Sequence, residues 1–372
     1  MRLTKFNKFA AVLVAAIALL GPVNGRIYQT DDAIVFENFV PIRTFLNGGP
    51  VPNSYIPFAQ PIPEIASYAV GLHPQQGPNF YSWLHHPFVY GGAYAVPAMG
   101  SSNGQKQESK QSSIPCGKGP DQNRIVNGEE AKPNSWPFVV AFMLPGSGFV
   151  NCGGSLISET KILTAAHCFE KKSMYGLSQV VVKLGMHYIG DGEDVPDDAQ
   201  MTRRISRMTL HKAYKIQINP FFDIAIVTMD SPVTYSKAIS PVCLAAASGE
   251  PDMYAGQTAA AIGWGRLASG GASAKKLMQT KVPIITNDEC KKVYPPFFRE
   301  ITRHMICASS FPTSVCNGDS GGPLVVQAED GSWTQVGVVS WGDSACTSEY
   351  FPAAVYTRVN WLRGWINGNM KN

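Results

Sequence analysis

Cysteine is missing from the first 115 residues of this 372-residue chain, although eight follow from Cys116 onward. That absence rules out the small disulfide-stapled modules that often head extracellular proteins. The eight include no CxxC pair, so a zinc site is not expected. Charge is sparse, at 16% of residues with a formal net of +4, and no basic run is interleaved with aromatics. Nucleic acid and acidic membranes are therefore not expected partners. No N-x-Ser/Thr sequon is present, so N-glycosylation is not expected either. Long apolar runs are lacking apart from Phe9–Leu20, about a dozen residues against the roughly 20 that a membrane span needs. Arg2, Lys5 and Lys8 precede that run and Val23-Asn24-Gly25 follows it. Residues 1–25 thus read as a secretory signal peptide, cleaved after Gly25, rather than as a membrane anchor. An even number of cysteines in a chain sent to an oxidising compartment favours four disulfides, and counting alone leaves roughly a hundred pairings open.

Residues 26–115 lack any sustained periodicity of 2 or 3.6. Prolines punctuate them (Pro50, Pro52, Pro57, Pro61, Pro63), and glycines and aromatics cluster in YGGAYAVPAMG. Such a stretch buries too little surface to offset its ordering entropy, so 26–124 is expected to be an irregular, mostly unstructured pro-region. It is nonetheless aromatic and poorly charged, unlike a well-solvated tail, and could serve as a matrix- or surface-binding module. Its end, residues 100–115, includes GSSNGQKQESKQSS and reads as a flexible linker.

From Ile125 the chain becomes globular in texture. Short apolar runs (Phe138–Leu144, Gln179–Leu184, Ala259–Trp264, Gly322–Val326, Gln335–Trp341, Ala354–Val359) are separated by turn clusters such as PGSG, DGED and SGGA. That spacing predicts an all-β barrel or sandwich. One C-terminal helix is expected, with Trp361, Leu362, Trp365 and Ile366 on one face.

Three short stretches carry chemistry: LTAAHC with His167, DIAIV with Asp223, and CNGDSGGP with Ser320. A serine hydroxyl is a weak nucleophile at neutral pH and needs a base, an orienting acid and donors for the oxyanion it creates. Each stretch alone is a weak signal. Together, in that order and with RIVNG upstream, they resemble the chymotrypsin-trypsin family of secreted serine endopeptidases over residues 125–372. The resemblance implies two six-stranded antiparallel Greek-key β-barrels with the active site between them. It implies Ser320 as nucleophile, His167 as general base and acid, Asp223 as its orienting acid, and the N–H groups of Gly318 and Ser320 as the oxyanion hole. Ser340, Trp341 and Gly342 would line the substrate strand. The implied disulfides are Cys116 with Cys243, Cys152 with Cys168, Cys290 with Cys307, and Cys316 with Cys346.

Activation and specificity follow from the same resemblance. Cleavage after Arg124 would free an ammonium at Ile125 to pair with Asp319, so the full chain would be a zymogen. At the pocket base, where trypsin-like members carry aspartate, this chain has Ser314, with Gly342 at the mouth and Ala354 on the far wall. A neutral pocket favours large apolar side chains over charged ones, a chymotrypsin-like preference. Ala354 with Val315 leaves an elastase-like, shorter pocket open, and the long stretch Thr347–Ala354 could bring Asp343 or Glu349 near the substrate. Arg124 then calls for a separate trypsin-like activating protease. The resemblance further implies a monomer without cofactor that acts on protein or peptide substrates and is open to protein protease inhibitors. The acidic loop Gly190–Ala199 reads as solvated surface rather than a calcium site, because Met186 stands where relatives carry a glutamate ligand. The reading from another class is a binding protein on an inactive protease scaffold, which labelling of Ser320 by an organophosphate-type reagent would discriminate.

Overall fold

The structure is a computed structural model that describes residues 25–37, 116–120, 128–190, 199–214, 220–267, 270–294, 299–309, 315–342 and 352–371. These all belong to one compact unit comprising Met1–Asn47 and Ser113–Asn372. Three strands precede the barrels: β1 (Arg26–Gln29), β2 (Ala33–Glu37) and β3 (Glu129–Glu130). The first barrel is formed by β4 (Val139–Met143), β5 (Cys152–Leu156), β6 (Lys161–Thr164), β7 (Val181–Leu184), β8 (Met201–His211) and β9 (Ala225–Met229). These strands run antiparallel in the order β8-β7-β4-β5-β6-β9, and β9 pairs back onto β8 to close the ring.

The second barrel follows β10 (Cys243–Leu244). It consists of β11 (Thr258–Gly263), β12 (Met278–Ile285), β13 (Met305–Ser309), β14 (Pro323–Gln327), β15 (Trp333–Trp341) and β16 (Ala353–Arg358). The order is β15-β14-β11-β12-β13-β16, closed by β16 on β15. β10 adds in parallel to β15, and β3 adds antiparallel to β12. Two closed six-stranded barrels are therefore present, as the resemblance implied.

The apolar runs became strands because both faces find cover: VVAFM of β4 is buried at every position, as are PLVV of β14. β8 was not anticipated. Its sequence MTRRISRMTLH carries three arginines, and their long stems leave the charged heads at the surface while Ile205, Met208 and Leu210 turn inward. The short helices α1 (Met174–Gln179) and α2 (Asn287–Val293) were also missed. α2 starts at a capping box: Thr286 Oγ1 accepts from the Glu289 amide at 3.1 Å, and Glu289 Oε2 accepts from the Thr286 amide at 2.8 Å.

The C-terminal helix α3 (Val359–Met370) forms where expected, but its buried stripe is Val359, Leu362, Trp365 and Ile366. Trp361 lies at the edge of that stripe and takes the Arg303 guanidinium 5.4 Å above its ring.

A second difference lies at the front of the pro-region. Residues 26–37 are regular: β1 and β2 form an antiparallel hairpin, and β2 pairs with β8 from Ala33 opposite His211 to Glu37 opposite Arg207. The segment RIYQTDDAIVFE sets a short apolar run, AIVF, behind the polar turn QTDD and has no proline, unlike the remainder that follows it. The other pro-region positions, from 38 to 115, lie outside the described residues, as do Arg124 and Ile125.

Three of the implied disulfides are present: Cys116–Cys243, Cys152–Cys168 and Cys290–Cys307. Cys346 lies outside the described residues, and with it the pairing expected for Cys316.

Candidate active site

The two barrels meet across polar and aromatic contacts. Ser155 Oγ on β5 donates to Gln335 Oε1 on β15 at 2.6 Å, and the rings of Trp136 and Trp333 pack edge to face at 4.8 Å. Candidate residues converge from both sides of this seam.

His167 sits on a single 3₁₀ turn, Ala166–Cys168, at the end of β6. Ala165 and Ala166 before it are fully buried, and Cys168 after it is bonded to Cys152, so the turn is fixed on both sides. Asp223 lies just ahead of β9 with no exposed surface. Its Oδ2 accepts from His167 Nδ1 at 2.7 Å and from Ser340 Oγ at 2.6 Å, and its Oδ1 accepts from the His167 amide at 2.9 Å. Thr357 Oγ1 anchors the Asp223 carbonyl at 2.7 Å. Three donors thus hold one buried carboxylate. Burial alone would lower the His167 pKa, but the charge and hydrogen bond of Asp223, with Glu170 adding, outweigh it and hold the imidazole above its ordinary value.

Phe222, next to Asp223, adopts a left-handed φ of 53°, which is strained for an aromatic residue. Its ring is clamped between His211 at 4.6 Å and His304 at 4.3 Å, both nearly parallel to it. Burial drives the His304 pKa down to about 4, so the stack is neutral at physiological pH.

Ser320 comes from the loop before β14. The Gly153 amide donates to the Ser320 carbonyl at 2.8 Å, and Cys168 Sγ lies 3.8 Å from the same oxygen, which sets Ser320 one residue from the imidazole. Among the described residues no hydrogen bond joins Ser320 Oγ to His167, and neither the Gly318 nor the Ser320 amide donates to a protein acceptor. Gly318 has φ 107° and Gly321 φ 79°. A side chain at 321 would collide with Thr164 and the Gly153 carbonyl, so the loop demands glycine on steric grounds as well as conformational ones.

Asp319 points away from Ser320 into a cavity of about 370 Å³ whose lining includes Gly263, Gly265, Gln279 and Val315. Its Oδ1 accepts from the Gly265 amide at 2.7 Å and its Oδ2 from the Cys316 amide at 3.0 Å. Burial pushes its pKa up to about 6, against the downward pull of those two amides.

At the end of β15, Trp341 packs edge to face on Tyr294 at 4.8 Å and carries the Arg299 guanidinium at 4.9 Å. Gly342 and Ala354 face one another, a Cβ built at 342 falling 3.8 Å from that of Ala354. Ser314, Asp343 and Glu349 lie outside the described residues. The site residues missed from the sequence are Ser340 as a donor to Asp223, Thr357, and the His211–Phe222–His304 stack. Ser340 is 117 positions from Asp223, and no local pattern links them. The His/Cys cluster near the site consists of His167 and the two sulfurs of the Cys152–Cys168 disulfide, which offer no thiolate to a metal.

The paired imidazole and carboxylate, the serine between Asp319 and Gly321 and the two barrels agree with a family comparison. The family model described as Trypsin matches residues 125–366, well over half of the chain. The chain therefore belongs to the trypsin family and carries a trypsin-like serine protease domain.

Proposed function

We propose that this protein is a secreted serine endopeptidase, made as a zymogen, that cleaves after large apolar residues. The His167–Asp223 pair beside Ser320 is the observation that carries this reading. Ser320 Oγ attacks the scissile carbonyl as its proton passes to His167 Nε2. The amides of Gly318 and Ser320 receive the oxyanion, and the imidazolium then protonates the leaving amine. Water, activated by the same imidazole, hydrolyses the acyl-enzyme. Asp223 keeps the Nδ1 proton in place and favours the imidazolium that forms at each transfer.

The specificity reading rests on Ser314, whose sequence position corresponds to the pocket base in the family, with Gly342 carrying no side chain and Ala354 facing it with one methyl. Peptides that differ only in the residue before the cut separate the readings. Leu, Met, Phe and Tyr should lead, with Lys and Arg cut at least tenfold more slowly, a selectivity on the scale of about 1–3 kcal/mol. Preference for Ala or Val would favour the elastase-like pocket, and preference for Arg would sink both. Failure of an organophosphate-type reagent to label Ser320 would instead favour the inactive scaffold.

The pH profile offers a second test. The base must be neutral, and the His167 pKa is raised above 6.5, so activity should climb with pH through an apparent pKa above that value. Stability moves the other way. A histidine with a raised folded pKa contributes stabilisation that is complete below its unfolded pKa and lost as pH rises through the folded one. A rate plateau extending below pH 5 would contradict the assignment of His167 as base.

A further inference from the structure

The hairpin at residues 26–37 meets the protease domain along a built interface. Ala33 and Val35 of β2 are fully excluded from solvent, and five residue pairs join β2 to β8. Asp32, in the hairpin turn, is a hub. Its carbonyl accepts from the Lys212 amide and from Trp365 Nε1, both at 3.0 Å, and its carboxylate accepts from Asn369 Nδ2 at 3.1 Å. At the far end Glu37 pairs with Arg207 at 3.3 Å. The interface therefore ties three separate pieces together: the hairpin, β8 and helix α3.

Every one of those partners, from Arg207 to Asn369, lies on the C-terminal side of the bond after Arg124. Cleavage there breaks none of these contacts between the hairpin and the described residues. A second attachment lies at the other end of the segment, where Cys116 is bonded to Cys243.

We propose that residues 26–37 are a permanent docking strand pair of the active enzyme, so that after activation the N-terminal segment stays fixed at both ends and residues 38–115 become a closed loop carried by the protease. The partner of the surface formed by β8, Trp365 and Asn369 is thus this chain's own N-terminus, and it begins at the residue expected after signal removal, Arg26. The disulfide keeps the hairpin tethered after cleavage, at an effective concentration on the order of millimolar, so even weak docking persists on dilution. A ligand of the proline- and aromatic-rich loop would be carried by active enzyme and not left behind with a discarded propeptide. The proposal rests on activation by cleavage after Arg124 only for its timing.

Hydrogen exchange on the full secreted chain tests it, before and after activation by trypsin, with the product inhibited by an organophosphate-type reagent and a chain starting at Ile125 confirmed by mass. Amides 34–36, held between β1 and β8, should exchange equally slowly in both forms. Val35→Asp, which buries an unpaired charge at the interface, should bring residues 26–37 to free-chain exchange rates and leave the amides of β4 and β14 unchanged. Fast exchange at 34–36 in activated unmodified enzyme, or slow exchange in the Val35→Asp protein, would overturn the proposal. Absence of a chain starting at Ile125 would count against the activation reading, while slow or fast exchange in the uncut protein still decides whether the hairpin docks. A denaturing non-reducing gel detects only the disulfide anchor, and exchange detects the hairpin.

Discussion

Arg124→Gln protein exposed to trypsin should stay inert, while the unmodified zymogen gains activity as a chain beginning at Ile125 appears. Asp319→Asn should be cut normally and remain equally inert, which separates failure of cleavage from failure of what cleavage does. The reason lies in the carboxyl of Asp319. Only partly exposed, it reaches into a cavity, and among the described residues its partners are two backbone amides with no cation beside them. An ionised carboxylate in such a place is costly, and a new ammonium at Ile125 is the partner that would relieve it. The cavity beside Asp319 has room for a chain terminus. Asp319 sits between Gly318 and Ser320, so an anchor on its side chain would act directly on the two amides proposed as oxyanion donors. Misplacing even one of them costs about 10²–10³ in rate, and that is the minimum loss expected for Asp319→Asn.

The same carboxyl gives the uncut chain its own expected stability profile. Its folded pKa of about 6 stands above the ordinary 3.8, so between those values the folded chain binds more protons than the unfolded one. Zymogen stability should therefore fall as pH rises through that window, by roughly 3 kcal/mol from this group at about 1.4 kcal/mol per pKa unit. On the proposed Ile125–Asp319 pairing, cleavage would supply the cation, lower the carboxyl's pKa and remove that decline. Denaturant unfolding of cut and uncut protein at pH 4 and pH 7 measures the difference, since the titrating groups are common to both apart from the Ile125 amino group and the Arg124 carboxyl that cleavage creates. Parallel profiles for the two forms would refute the Ile125–Asp319 pairing.

Half of the barrel strands, β4, β7, β11, β14, β15 and β16, were readable as short apolar runs punctuated by turns, whereas the pairing into two closed barrels came from the family resemblance. β8 was not readable. Its arginines mask the inward residues, and only the closed ring shows why an eleven-residue charged strand is needed: it spans from β7 to β9 and then offers its free side to β2. The hairpin at 26–37 was hidden by its neighbourhood, since its single apolar run, AIVF, was read together with the proline-rich chain that follows. At the site, His167, Asp223 and Ser320 were legible through their flanking motifs. Ser340, Thr357 and the stack around Phe222 were not, because what makes them part of the site is a contact between distant strands.

Asp223→Asn should cost about four orders of magnitude in kcat with little change in KM or fold, a scale known for the same change in this family rather than one calculated from these distances. The direction follows from the geometry. Oδ1 faces the His167 amide, a fixed donor, so an asparagine must place its carbonyl oxygen there. Its NH₂ then falls at the position of Oδ2 and faces His167 Nδ1. Two donors cannot share that bond, so the ring must shift its proton to Nε2, the nitrogen that has to accept from Ser320. The enzyme would be folded, correctly shaped and protonated on the wrong atom. Ser340→Ala is the control. It removes one of three donors to the carboxylate and leaves Nδ1 facing an oxygen, so the tautomer survives and the loss should stay within about a hundredfold, the equivalent of one hydrogen bond to a charged group. Comparable losses for the two variants would mean that charge around Asp223, and not the position of the imidazole proton, limits the rate.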